Sequence, residues 1–442
     1  MKNSITQQFN VFSLIKFALP TIIMMVSMSL YTIVDGAFVS RIVGDNALTA
    51  INIVYPFINL VFGFGIMLAT GGSAIVAKQI GENKENEARE NFSLIALVSI
   101  IIGFIFLIIG LLFLEPICNL LGATPLILAD CKKYLGILLL FSPISMLQMF
   151  FQVFFVTEGR PGLGLTLTLI GGVTNIVLDY LFMAIFNLGI IGAALATGIG
   201  QAIMVVVGIY YFFWQKKNLY FVKPILRLKI LLNSCANGSS EMVSNLSMAI
   251  VTFLFNITML HLLGEDGVAA ITIVLYSQFL FTSLYLGFSM GVAPIFSFNY
   301  GNQNYSQLKR VYKICILFIV ISSIFILLIS LIFADPIVGL FVEPSSNTYQ
   351  IAVFGFPIFS INYIFAGVNI FASSMFTAFS DGKTSAIISF CRTLVFIVIS
   401  ILLLPIWIGI IGVWLSVPLA ELLTIFISIL YFKNKKKKFN YI

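Results

Sequence analysis

Gly44-Asp45-Asn46-Ala47-Leu48-Thr49-Ala50-Ile51-Asn52-Ile53-Val54 and Gly264-Glu265-Asp266-Gly267-Val268-Ala269-Ala270-Ile271-Thr272-Ile273-Val274 write one pattern twice, 220 residues apart: a glycine, two polar positions, then an apolar helical run. The same shift lays Gly71 on Gly291, Gly81 on Gly301, and Leu188-Gly189-Ile190-Ile191-Gly192-Ala193 on Ile408-Gly409-Ile410-Ile411-Gly412-Val413. At a shift of 223 the turn Glu158-Gly159-Arg160 falls on Asp381-Gly382-Lys383. Self-similarity sustained over such distances marks a duplicated unit, so whatever one half folds into, the other repeats.

Composition says what that unit is. Of the 442 residues 60% are hydrophobic and 9% charged, and the mean hydropathy is +1.08, more apolar surface than one soluble core buries. Apolar runs of about 20 residues recur along the chain, each long enough to cross a hydrocarbon layer as a helix that satisfies its own backbone. The expected spans are 14–40, 47–77, 92–114, 134–156, 163–186 and 190–213, then 237–262, 268–297, 311–333, 350–379, 384–404 and 408–432. The first run is too long for a signal-peptide core and is expected to be retained as helix 1. The result is an all-α membrane protein of about twelve transmembrane helices in two six-helix bundles: an N-terminal lobe 1–213, a cytoplasmic linker 214–236 and a C-terminal lobe 237–442. Apolar and basic residues alternate in the linker, which predicts an interfacial amphipathic helix there.

The net charge of +7 follows topology rather than a nucleic-acid surface. Lys78, Lys84, Arg89, Arg160, Lys216, Lys217, Lys223, Arg227, Lys229, Lys309, Arg310, Lys313, Lys383, Lys433 and lysines 435–438 fall on one side of the expected spans, and Arg41, Lys132 and Lys133 on the other. By the positive-inside rule both termini lie in the cytoplasm of a cytoplasmic (plasma) membrane. Six spans per half, with equal charge bias, give the halves one orientation, a parallel repeat about an axis along the membrane normal. Such bundles can rock against each other and open a central cavity to alternate sides. The five cysteines show no metal or disulfide spacing, and Cys118 and Cys131 are expected as free thiols.

Charges at membrane depth are costly and mark function. Those assigned there are Asp35, Asp179, Glu241 and Arg392. Asn175 precedes Asp179 by four residues and Tyr31 precedes Asp35 by four, so each pair shares a helix face. Asp35, Asp179 and Thr197 fall at one depth below the outer ends of helices 1, 5 and 6. Two carboxylates, a carboxamide and a hydroxyl there suit a small cation or a shared proton. The second half lacks the set: Asp35 falls over Phe255, Asn175 over Val398 and Asp179 over Leu402. Glu241 reads as an interfacial residue near the start of helix 7, with a cavity role as the alternative. Arg392 reads as structural, snorkelling or pairing within the bundle. Met24, Met25, Met28, Tyr31, Met67, Gln148, Gln152 and Gln201 are candidates for a cavity that re-packs around different ligands.

The Val34-Asp35-Gly36 segment with upstream Pro20, the turn Glu158-Gly159-Arg160-Pro161, and Asn175-x3-Asp179 followed by Leu188-Gly189-Ile190-x-Gly192-Ala193 resemble the multidrug and toxic compound extrusion (MATE) family over essentially the whole chain. The resemblance implies a sodium or proton site made by Asp35, Asn175, Asp179 and Thr197. It also implies exchange of an inward-moving cation for outward-moving small organic cations, by a protein that needs no other cofactor. Glu241 is similar to an acidic residue on helix 7 of some members, while helix 10 lacks the acid that some members carry. A monomer in lipid, with no nucleic-acid partner, is expected. The alternative is a flippase for a lipid-linked oligosaccharide, which needs basic residues in its cavity. An enzyme is disfavoured, because the single His261 has no catalytic or metal-binding companion. No P-loop supports direct drive by ATP.

Overall fold

The computed structural model describes residues 4–442, and all regular structure among them is helical. Nine helices are long and apolar enough to cross a membrane, two bent pairs make further crossings, and Leu228–Gly301 contains two crossings hinged at Gly264, which brings the described residues to twelve. In chain order these are α1 (Val11–Phe38), α2 (Asp45–Gly81), α3 (Glu85–Leu112), α4 (Leu128–Leu140 with Ser142–Thr157), α5 (Pro161–Asp179), α6 (Ile190–Trp214), α7 and α8 (Leu228–Gly301, before and after Gly264), α9 (Tyr305–Ile332), α10 (Asn347–Ser360 with Tyr363–Ala378), α11 (Gly382–Phe390, continuing as Phe396–Ile408) and α12 (Ile410–Phe439). The 220-residue shift extends to small elements, since Leu114–Leu120 after α3 is matched by Ala334–Gly339 after α9.

The sequence predicts α4 and α10 as unbroken runs, but both bend, by 55° and 54°. The first arm of α4 ends at Phe141, and Pro143, which has no N–H to lose, opens the second. Ser142 Oγ donates to the carbonyls of Leu139 (2.7 Å) and Gly103 (2.8 Å), fixing the corner against α3. In α10 the Asn362 amide donates to the Phe359 carbonyl at 2.6 Å.

The expected linker is corrected too. Residues 215–227 carry no helix, and α7 begins at Leu228, nine residues before the expected start, so no interfacial amphipathic helix forms in 215–227. The segment is held to the N-terminal lobe. Glu158 accepts hydrogen bonds from Asn218 N and Nδ2 (3.2 Å each) and from Leu219 N (3.0 Å). Arg89 Nε donates to the Asn218 carbonyl (2.9 Å), Ser93 Oγ accepts from Val222 N (2.9 Å), and Arg227 pairs with Glu90 (2.6 Å). Burial pushes the Glu158 carboxyl up to about 7, against the smaller opposing pull of these amides and Arg160.

The first helix of each lobe also packs against the other lobe. Leu14, Phe17, Ala18 and Ile22 of α1 are buried in a core most of whose other members, such as Val292, Phe371 and Phe379, belong to the C-terminal lobe. α1 crosses α8 at Gly291, where a Cβ would collide with Thr21 Oγ1, and in the related contact α7 crosses α2 at Gly71, where a Cβ would collide with the Ser234 carbonyl. At the chain ends of α2 and α8, Gly81 abuts the Phe298 carbonyl and Gly301 the Lys78 carbonyl. This seam closes the molecule at its lysine-rich end. At the opposite end Gly44 and Gly264, with φ of 114° and 68°, have open space where a Cβ would stand.

Candidate functional site

α1, α5 and α6 bring the N-lobe acids together. Gly171 and Gly200 let α5 and α6 touch backbone to backbone, since a Cβ on either would meet the other's carbonyl oxygen at 2.7–2.8 Å. That closeness sets Asn175 beside Thr197. With its nitrogen donating to Asp179 Oδ2 at 3.1 Å, the Asn175 amide accepts the Thr197 N–H at 3.1 Å. The Asp35 and Asp179 carboxyls lie within interaction range of each other, and the Tyr31 hydroxyl lies close to Thr197. The four residues that the sequence placed at this site therefore converge, and Tyr31, read as a cavity residue, stands beside them. Asp179 immediately precedes the π-helical turn Tyr180–Ile185, and Asp35 lies one helical turn before another, Val39–Val43. Such wide turns recur at functional positions in helices.

Asp35 Oδ1 and Asp179 Oδ1 are buried without a hydrogen-bond partner. Two carboxyls this close and away from water can share one positive charge, a proton or a metal ion, because both cannot stay ionised unaided. The oxygens of Asn175 and Thr197 complete a hard-ligand set. Among the described residues no group of three or more His, Cys, Asp or Glu side chains converges, so a cage of acids is not what these residues offer. Tyr55 of α2 and Tyr134 of α4 also stand within electrostatic reach of Asp35. The sequence missed both, as no spacing links them to the acids.

A cavity of about 580 Å³ lies between the lobes, a size suited to a drug-sized molecule. Its N-lobe wall carries Met25, Met28, Tyr31, Asp35, Gln148, Gln152, Asn175, Thr197 and Gln201, and its C-lobe wall Glu241, Asn245, Met290 and Ser374. Asp179 stands behind Asp35, outside the lining. Gln152 Nε2 contacts Met28 Sδ at 3.1 Å, Ser145 donates to Gln201 Oε1 at 2.6 Å, and Gln148 Oε1 is buried and unpartnered. Met24 and Met67, expected here, are instead fully packed in the helix bundle. Glu241 is also corrected: because α7 starts at Leu228, it lies more than three turns inside the helix, on the cavity wall.

One intramembrane charge escaped the sequence reading. Glu421 in α12 is 3% exposed, and its Oε1 accepts from Arg392 Nε at 2.9 Å. Arg392 therefore pairs inside the bundle, from the π-helical turn Cys391–Val395 of α11. Cys118 and Cys131 are buried free thiols.

The MatE family model matches this chain twice, at residues 20–181 and 242–402. The chain belongs to the MatE family. The first match contains Asp35, Asn175 and Asp179, whereas Glu241 and Glu421 lie outside both. Among curated relatives of this MatE protein, the multidrug export protein MepA of Staphylococcus aureus (strain NCTC 8325 / PS 47) is 24% identical over 426 residues, covering 92% of this chain and 90% of MepA. MepA of Staphylococcus saprophyticus is 22% identical over 409 residues, covering 92% and 89%. Among solved structures, an outward-facing multidrug resistance MATE family transporter of the MOP superfamily superposes with a TM-score of 0.93 at 21% identity, covering 100% and 99% of the two chains. A MOP superfamily transporter from Pyrococcus furiosus, described as having a binding pocket of reverse polarity, superposes at 0.92 and 21%, covering 99% of each. The fold is thus that of MATE transporters, and it accommodates pockets of different polarity.

Proposed function

We propose that this MatE protein exports small organic cations across the plasma membrane by alternating access, driven by inward movement of Na+ or H+. The observation that carries the proposal is the Asp35–Asp179 pair, with its unpartnered buried oxygens, set into the wall of a drug-sized cavity. A cation arriving at Asp35 neutralises the pair and reaches Asp179 through it, with Asn175, Thr197 and Tyr31 holding the acids in place. Loss of that charge removes the reason for α1 and α5 to admit a substrate's positive centre, and the substrate leaves. Both lobes' basic loops face the cytoplasm, so the seam at Gly81 and Gly301 closes the cytoplasmic side and this conformation faces outward. The protein works as a monomer in lipid and has no nucleic-acid partner. The multidrug export assigned by name to the MepA relatives supports this reading. The flippase alternative loses ground, because the charged residues lining the cavity are Asp35 and Glu241, neither able to meet an anionic headgroup.

Efflux of a fluorescent organic cation from liposomes containing the purified protein, with imposed Na+ or pH gradients, tests the proposal. Gradient-driven transport is expected in the wild type and is expected to be lost in both Asp35→Asn and Asp179→Asn, and the effective gradient names the ion. Unimpaired transport in both variants would sink the site.

A further inference from the structure

The C-terminal lobe holds charges that the N-terminal lobe does not. At the 220 shift Glu421 falls on Gln201 and Glu241 on Thr21, and at 223 Arg392 falls on Leu169. Glu421 does not line the cavity, and both its oxygens are engaged: Oε1 with Arg392 Nε at 2.9 Å, Oε2 with Asn369 Nδ2 at 2.7 Å. Ser428 in turn donates to Asn369 Oδ1 at 2.8 Å. The anchor is built from three helices and is nearly sealed. Glu241 is its opposite. It lines the cavity, and among the described residues its carboxylate makes no hydrogen bond or ion pair within 4.0 Å, yet it lies within electrostatic range of Arg392. The π-helical turn that carries Arg392 is fixed to α7 beyond Glu241, where Thr393 donates to Ser247 at 3.2 Å.

One arginine between two carboxylates neutralises one of them. We propose that Glu421 and Arg392 set the cation selectivity of the cavity: Glu421 holds the arginine's charge away from the wall, so that Glu241 keeps its own for the positive centre of an organic cation. The inference rests on the cation-export reading of the cavity. Glu421 is a positioning residue and touches no substrate. Without its charge Arg392 has one carboxylate left to serve, and it turns to Glu241. The wall then becomes neutral, and in a site of low dielectric the loss is felt strongly.

Binding of tetraphenylphosphonium, a permanent cation, and of uncharged triphenylphosphine oxide to the full chain in lipid nanodiscs, at fixed pH and Na+, tests this. The E421Q variant is expected to lose about tenfold in affinity for the phosphonium while affinity for the oxide stays unchanged. The double variant R392Q/E421Q removes both partners, so that no arginine is left to turn to Glu241, and is expected to recover the phosphonium affinity. Parallel weakening of both compounds in E421Q, the result of a merely structural role, overturns the inference. A double variant as weak as E421Q does the same. A wild-type protein that does not prefer the phosphonium overturns this inference together with cation export, whereas a preference that survives E421Q overturns this inference alone.

Discussion

Asp35, Asn175, Asp179 and Thr197 were legible in the sequence because a charge inside an apolar run is rare, and i,i+4 spacing on a helix is a statement about faces. Glu421 was equally visible, in Leu419-Ala420-Glu421-Leu422-Leu423, and was overlooked. Tyr55 and Tyr134 were not legible, since only the packing of α2 and α4 carries them to Asp35. Glu158 was read as part of a turn, and its grip on Asn218 and Leu219 needed the path of the linker. That grip has a pH signature. An acid whose folded value is raised, here from 4.5 to about 7, binds more protons folded than unfolded, so stability is greatest below the unfolded value and falls as pH rises through the folded one. A loss of about 3 kcal/mol between pH 4.5 and 7 is the upper bound for that shift. Thermal melts of Glu158→Gln across that range are expected to be flatter than those of the wild type. A parallel slope would show that Glu158 is not the titrating group.

Hydropathy counted the twelve crossings and misjudged their shape. Phe141 and Ile361 interrupt no apolar run, so the traces left by the bends, Pro143 in α4 and Pro357 and Asn362 in α10, are ones that hydropathy does not weigh. The start of α7 was hidden for a related reason. Asn233 and Ser234 look like a loop, but small and polar residues are what a membrane helix needs where it lies against another backbone. The α5–α6 contact at Gly171 and Gly200 obeys the same rule and makes a prediction. Gly200→Ala places a methyl 2.8 Å from the Gly171 carbonyl, forcing the helices apart and Asn175 away from Thr197. The concentration of coupling ion that half-saturates transport is expected to rise about tenfold, with helix content by circular dichroism unchanged. An unchanged ion dependence would mean that the two helices do not set the site.

At the scale of the whole molecule, the repeat visible at Gly71/Gly291 and Gly81/Gly301 is the seam itself. The alignment exposed the positions, but one sequence cannot show that their partners lie in the other lobe. Gly81→Val drives two methyls into the Phe298 carbonyl and is expected to open the seam. Spin labels at Lys84 and Asn304 are expected to move apart by several ångströms relative to the wild type, and unchanged distances would show that the seam tolerates the wedge. Each half offers the other the same surface it receives, which makes the contact isologous in the manner of a two-fold dimer. A six-helix chain of this kind could close against a second copy of itself, and in such a homodimer every acid would appear twice. Fusion lifts that restriction: with Phe255 standing where Asp35 has its counterpart, one half of this chain is free to hold a cation while the other answers to something else.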